Sequence, residues 1–306
     1  MKPFTRGAFA ELPETPRVAH AYAKSQPRTL ELDSRAFGRH AVHLRELGEG
    51  PPLLLIHGLM TSSYSWRYVL EPLSRSFRVI APDLPGAGRS AKPDVPYTAA
   101  AMARWIIELT DALGIRGCRT IGNSLGGYLC MRAVLEDPQV FTRLVNIHSP
   151  GTPDARLWAL HAALAVPGVR AALARFVRRD PQRWVHRNVH YFDESLKSLE
   201  EAREYGAVVA SPEGSRAFVR YLGETLDPRA MRDFVRAVGR GPFPIPLQLV
   251  YARQDPMVPP RVGDELAALL PGAELHWLED TSHFAQVDSP ERLLAVVEPF
   301  LSSPRT

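Results

Sequence analysis

The feature that most constrains this 306-residue chain is the pentapeptide Gly122-Asn123-Ser124-Leu125-Gly126. A short strand-like run, Cys118-Arg119-Thr120-Ile121, leads into it, and Tyr128-Leu129-Cys130-Met131-Arg132-Ala133-Val134-Leu135 reads as a helix leading out. Gly-x-Ser-x-Gly between a strand and a helix makes a sharp, strained turn with the serine at its tip. A side chain at either flanking position would crowd the turn, so glycine fits there. The hydroxyl then stands clear of the sheet, and the helix N-terminus points at any negative charge forming beside it.

The surrounding chain repeats the alternation. Pro52-Leu53-Leu54-Leu55-Ile56-His57-Gly58 is a continuous apolar run ended by a turn signal, as expected of a strand buried on both faces. Further strands are expected at 28–33, 41–46, 77–81, 144–147, 246–251 and 274–278. Helices are expected at 65–73, 98–113, 124–136, 261–270 and 290–301. In the second helix Met102, Trp105, Ile106, Leu109 and Leu113 share one face. Such alternation predicts an α/β fold with a mostly parallel, twisted eight-stranded sheet flanked by helices. From 152 to about 240 it stops, and only helical segments remain, punctuated by Pro167-Gly168, Asp180-Pro181, Ser211-Pro212 and Asp227-Pro228. The expected organisation is an N-terminal arm (1–27), one α/β core domain (28–151 and 241–306) and a helical cap inserted into it (152–240).

Composition narrows the function. At 45% hydrophobic and 23% charged residues the chain can bury a substantial core. No apolar stretch approaches the ~20 residues of a membrane-crossing helix. The start, Met1-Lys2-Pro3-Phe4, lacks the apolar segment of a signal peptide, and the two cysteines, Cys118 and Cys130, do not form a disulfide framework. A cytoplasmic protein with core thiols is the expectation. The net charge is +4, and seven arginines but one acid lie between 155 and 191. These read as a solvated helix face, with attraction of anionic substrates or an acidic surface as the alternative, and not as a nucleic-acid platform, because no recognition motif or aromatic interleaving accompanies them. His186-Arg187-Asn188-Val189-His190 sets two imidazoles four apart on an expected helix, but a zinc protease needs Glu where Arg187 stands, so this is expected to be a surface pair on the cap.

A serine hydroxyl attacks well only when a base takes its proton, and that base is usually an imidazole oriented by a carboxylate. Candidates belong at strand C-terminal ends, where α/β sites form. Asp255, in the proline-rich loop after 246–251, and His283, after the last strand, qualify; Asp154, after the sixth strand, is the alternative acid. The amide of Leu125 directly follows the serine, and the loop after His57-Gly58 offers Leu59, or Met60 next to it, as a second donor to a developing oxyanion. His57 itself reads as structural.

Taken together, His57-Gly58-Leu59-Met60, Asp83-Leu84-Pro85-Gly86-Ala87-Gly88-Arg89-Ser90, Gly122-Asn123-Ser124-Leu125-Gly126-Gly127, Asp255 and His283 resemble the motifs of lid-bearing α/β-hydrolase-fold enzymes, in that family's order. The resemblance implies a Ser124-His283-Asp255 triad, an oxyanion hole from Leu59 and Leu125, and a structural turn at 83–90. It implies no cofactor or metal, and a small-molecule substrate. Residues 61–67 resemble haloalkane dehalogenases and epoxide hydrolases, but those need an aspartate where Ser124 stands. The 122–127 elbow is similar to that of carbon–carbon bond hydrolases of ring-cleavage products, whose Trp after the catalytic histidine is replaced here by Phe284-Ala285-Gln286-Val287. The expected function is therefore hydrolysis of a small, largely apolar ester or related acyl compound. Alternatives are carbon–carbon bond hydrolysis, slow-turnover ligand reception and acyl transfer. Trp158, Leu160, Leu164, Phe176 and Trp184 are the cap residues expected either to wall the substrate pocket or to form the cap's own core.

Overall fold

The computed structural model describes residues 3–239 and 241–303. The first two residues of the expected arm, the cap boundary at 240 and the last three residues of the expected core lie outside the described residues. The strands are β1 (Gln26–Ser34), β2 (Gly38–Leu47), β3 (Pro52–Ile56), β4 (Arg78–Pro82), β5 (Cys118–Asn123), β6 (Phe141–Ile147), β7 (Leu247–Ala252) and β8 (Glu274–Leu278). They form one eight-stranded sheet in the order β1-β2-β4-β3-β5-β6-β7-β8. Strand β2 runs antiparallel to both β1 and β4, and the rest of the sheet is parallel.

Helices α1 (Leu70–Ser74), α2 (Ala99–Ala112) and α3 (Leu125–Glu136) precede β6, while α10 (Arg261–Leu269), α11 (Ala285–Asp288) and α12 (Pro290–Ser302) follow β7. Apolar residues from alternate positions of one strand enter two different clusters: Leu54 and Ile56 pack in one, Leu53 and Leu55 in the other. That is why these strands read as unbroken apolar runs: both faces of the sheet are covered.

Sheet order creates the site. The chain leaves β3 for β4 on one side and returns to β5 on the other, the topological switch where α/β sheets open a crevice. Register then aligns the neighbouring strand ends: Ile56 pairs with Gly122, Asn123 with Ile147, Ile147 with Val250, and Ala252 with Leu278. Loops after β3, β5, β6, β7 and β8 therefore emerge side by side.

Between β6 and β7 the described chain is helical: α4 (Ala155–Ala165), α5 (Val169–Arg179), α6 (Pro181–Asn188), α7 (Leu199–Ala210), α8 (Pro212–Arg220) and α9 (Pro228–Val238), with a π turn at Tyr221–Thr225. Asp154, Asp180, Ser198, Ser211 and Asp227 cap five of these helices, each accepting a backbone N–H, and proline opens three of the five. The expected helix at 65–73 is instead a 3-10 turn (Ser63–Trp66) followed by α1. Trp66 and Arg67 are both buried there, where a surface helix would leave one side in water.

Arg67 joins the core to the helical block. Its guanidinium meets the Glu201 carboxylate at 2.5 Å and Tyr205 Oη at 3.2 Å, and Tyr191 Oη donates to the same carboxylate at 2.7 Å. Removing one member of a fully buried ion pair leaves the other uncompensated, typically at a cost of about 3–5 kcal/mol. Arg67→Met should lower the unfolding free energy by about that amount in urea titrations. Adding Glu201→Leu to it should restore much of the loss, because neither member of the pair is then left uncompensated.

The arm lies on both parts of the molecule. Leu199 N donates to Pro13 O at 2.8 Å, Glu200 N to Glu14 O at 3.0 Å, and Phe4 N to Phe192 O at 3.1 Å. Tyr22 Oη bonds Ser63 Oγ at 2.9 Å on the core side. His186 is buried against this arm, its ring nitrogen donating to Gly7 O at 3.1 Å, and α6 ends at Asn188, before His190. The two histidines are thus not the exposed helical pair expected from their spacing, because the arm covers the first and the helix stops short of the second.

Candidate active site

Ser124 sits between β5 and α3 with φ 53° and ψ −121°. A non-glycine residue held there stores strain of about 1–3 kcal/mol, which the surrounding structure must over-determine. It does so from several sides: Ser124 N donates to Ile147 O at 2.7 Å, and α3 is buried along most of its length. A β-carbon at Gly122 would lie 2.6 Å from Gly127 Cα, and one at Gly126 would overlap the Ile56 carbonyl oxygen. Neither position accepts a side chain.

The loop after β3 passes close by, since a β-carbon on Gly58 would approach Ser124 Cβ to 3.1 Å. His57 fixes that loop. Its Nε2 accepts from Leu84 N at 3.0 Å, so its Nδ1–H donates to Gly58 O at 2.8 Å. With both nitrogens committed and burial pressing its pKa below the usual histidine value, His57 is a neutral strut. Asp83 accepts from Ser63 N at 2.7 Å and Arg89 N at 2.8 Å, which ties the 83–90 turn to the same region. Leu125 opens α3, where the first amides have no acceptor within the helix. Leu59, Met60 and Leu125 all line one cavity of about 180 Å³.

Ser124 and His283 line that cavity too. No hydrogen bond joins the Ser124 hydroxyl to the imidazole among the described residues; in unliganded sites such bonds are often long and tighten around substrate. The carboxylate that meets His283 is Asp255, with Nδ1 to Oδ2 at 2.7 Å and both side chains buried. The other Asp255 oxygen accepts from Met257 N at 2.7 Å and Val258 N at 2.9 Å. Burial opposes the charge on Asp255, yet the His283 imidazole and these amides hold its carboxyl below the usual range. Asp154 lines the same cavity, but its Oδ1 accepts Leu157 N at 2.9 Å as the cap of α4, and His283 pairs with Asp255 instead.

One group at the site has no counterpart in the sequence reading. His148, directly after β6, is fully buried with φ 51°. Its Nδ1–H donates to the His283 carbonyl at 3.0 Å, and burial pushes its pKa down to about 4. The signal available in the sequence was a histidine in the first position beyond a central strand. Donor atoms of His148, Asp255 and His283 all lie within 4.8 Å of one another, a set that can be weighed as a cation site. The 2.7 Å hydrogen bond between His283 and Asp255 already fills the space an ion would need, so the residues fit a proton relay better than a metal.

The cavity wall from the segment between β6 and β7 includes Thr152 and Asp154 ahead of α4, Arg156 and Leu157 on α4, Asn188 and Val189 at the end of α6, and Leu226 after the π turn. None of the five residues expected either there or in the cap's own core lines it. Trp158 lies under the Arg232 guanidinium at 4.8 Å, Leu164 is buried in the core, and Phe176 is 61% exposed against the edge of Trp184. The block meets the cavity through helix ends and connecting turns, so hydrophobic stripes on its helix faces are used elsewhere.

Comparison with known proteins gives the same frame. A family model described as alpha/beta hydrolase fold matches residues 51–290. The chain is 31% identical over 290 residues to an uncharacterized protein of Mycobacterium tuberculosis, covering 91% of this chain and 81% of the relative. It is 29% identical over 280 residues to a 2-hydroxymuconate semialdehyde hydrolase of Pseudomonas putida, covering 86% of this chain and 91% of that one. A thermophilic esterase from Thermogutta terrifontis superposes with a TM-score of 0.75 at 23% identity, over 91% of this chain and 100% of that one, a likeness of fold.

Proposed function

The chain belongs to the alpha/beta hydrolase fold family, and on that premise we propose that it is a serine hydrolase acting on a small, largely apolar ester or related acyl compound. The supporting observation is a backbone-strained serine and a buried 2.7 Å His–Asp pair opening on one cavity. In this reading His283 takes the Ser124 proton through the ring nitrogen not bonded to Asp255, as Oγ attacks the substrate carbonyl. Asp255 holds the imidazole tautomer and stabilises the imidazolium. The oxyanion receives the amides of Leu59 and Leu125, each contributing roughly 3 kcal/mol if it behaves like other such donors. The protonated His283 returns its proton to the leaving alcohol, and water then releases the acyl group by the same relay in reverse. The mainly helical segment 152–239 acts as a cap whose Leu157, Val189 and Leu226 give the pocket an apolar part of its wall, beside Thr152, Asp154 and Arg156.

A fluorophosphonate probe tests this directly. It should label the protein once, at Ser124 by peptide mapping, and block turnover of short chromogenic esters. Labelling at another residue, or none, would end the proposal. Similarity to the Pseudomonas putida hydrolase favours a second reading, carbon–carbon bond cleavage of a ring-cleavage product by the same three residues. Parallel rates on an ester panel and on 2-hydroxymuconate semialdehyde separate the two.

A further inference from the structure

We propose that His148 is a positioning residue that holds the base of the relay in register with its carboxylate. The inference rests on the serine-hydrolase reading and assigns a role at that site to a side chain outside the triad.

The catalytic imidazole must keep Nδ1 on Asp255 while its other nitrogen reaches the serine, so the backbone carrying His283 has to be fixed. The His283 carbonyl is gripped twice. His148 Nδ1 donates to it at 3.0 Å from the end of β6, and Asn123 Nδ2 donates at 3.2 Å from the residue preceding the nucleophile. The grip thus ties the base's loop to the strand end that presents the serine.

His148 is itself over-determined. Its N–H donates to Val250 O at 3.0 Å, and its ring meets Tyr251 edge-on at 5.8 Å and His283 at 5.6 Å, tilted by 31°. Tyr251 Oη in turn donates to Ser149 O at 2.8 Å. A bulky residue at φ 51° is costly backbone, and such outliers persist where neighbours enforce them, often at functional sites.

Its chemistry also suits the role. With Nδ1–H committed to a carbonyl, Nε2 carries a bare lone pair, which is buried and has no hydrogen-bond partner. The titratable groups facing the ring are Asp255 from the loop after β7, His283 from the loop after β8, and Tyr251 on β7. A neutral His148 adds no charge to compete with the imidazolium for Asp255. Burial keeps it neutral far into acid.

The test uses the pH dependence of fluorophosphonate labelling at Ser124 in the full-length protein, which needs no knowledge of the natural substrate. His148→Ala should slow labelling by about 10- to 100-fold, the scale of a sub-ångström misplacement of a reacting group. It should also move the acid limb of the rate profile down by about half to one pH unit, because an imidazole less well held by a carboxylate is a weaker base. His148→Asn should keep the rate within about threefold and leave the acid limb in place, since asparagine tolerates positive φ and offers an N–H donor. Asparagine also keeps the test usable if the alanine variant does not fold.

Wild-type rate and acid limb in the alanine variant would overturn the inference. So would equal slowing in both variants with an unmoved acid limb, which is what a purely structural residue would produce. A wild-type protein that fails to label at Ser124 would instead overturn the serine-hydrolase reading on which the inference rests.

Discussion

Ser124→Ala should lower kcat on any ester the protein turns over by about a million-fold, leaving only what the cavity and oxyanion donors supply without a nucleophile. The size follows from the proposed relay: removing its nucleophile would also idle His283 and Asp255, so the loss is that of the whole relay. Thermal melting should change little. Alanine keeps the β-carbon already accommodated at φ 53°, and the bonds that hold the turn run through backbone atoms such as Ser124 N to Ile147 O. Parallel kinetics and melting on the same preparation check both halves. Turnover within about a hundredfold of wild type would place the chemistry on another residue.

Asp255→Asn should cost about ten-thousand-fold in kcat with the fold intact. The amides of Met257 and Val258 select the orientation of the new side chain, because they need an acceptor and the asparagine carbonyl oxygen is the sole one it offers. Its NH2 then faces His283 Nδ1. That nitrogen must accept, so the proton moves to the ring nitrogen meant to deprotonate Ser124, and the base is lost. The same substitution should alter acid stability. The Asp255 carboxyl is held below its ordinary value of 3.8, so its charge stabilises the fold above that pH, and the contribution fades as pH falls through the folded value. The asparagine variant should show a shallower loss of stability below pH 4 in acid titrations followed by circular dichroism.

Much of this site was legible before any coordinates. Gly122 and Gly126 announce a turn that excludes side chains, and unbroken apolar strands announce a sheet covered on both faces; both are local rules of backbone and burial. Asp255 and His283, which the structure brings within 2.7 Å, could be paired because loops at strand C-terminal ends cluster. His148 was not found, since its significance lies in one hydrogen bond to a carbonyl 135 positions away, which no spacing encodes. For a related reason the sequence leaves open whether the cap's large apolar residues wall the cavity or form the cap's own core. Aromatic and leucine residues of the cap were weighed by size and stripe, whereas the block presents Leu157, Val189 and Leu226 from helix ends and turns. The split of the 65–73 helix likewise follows from Arg67 finding Glu201, a partner 134 residues on.

The arm that lies across α6 and α7 sets a schedule for synthesis. His20 waits for Glu200, 180 residues later, whereas Tyr22 meets Ser63 only 41 residues on. At ordinary ribosomal speeds the longer interval is roughly 10 to 40 seconds, during which Phe4 and Phe9 lack Phe192 and His186, the rings they meet in the folded protein. The arm therefore leaves the ribosome well before the helices it docks on, and its docking closes only after α6 and α7 are made.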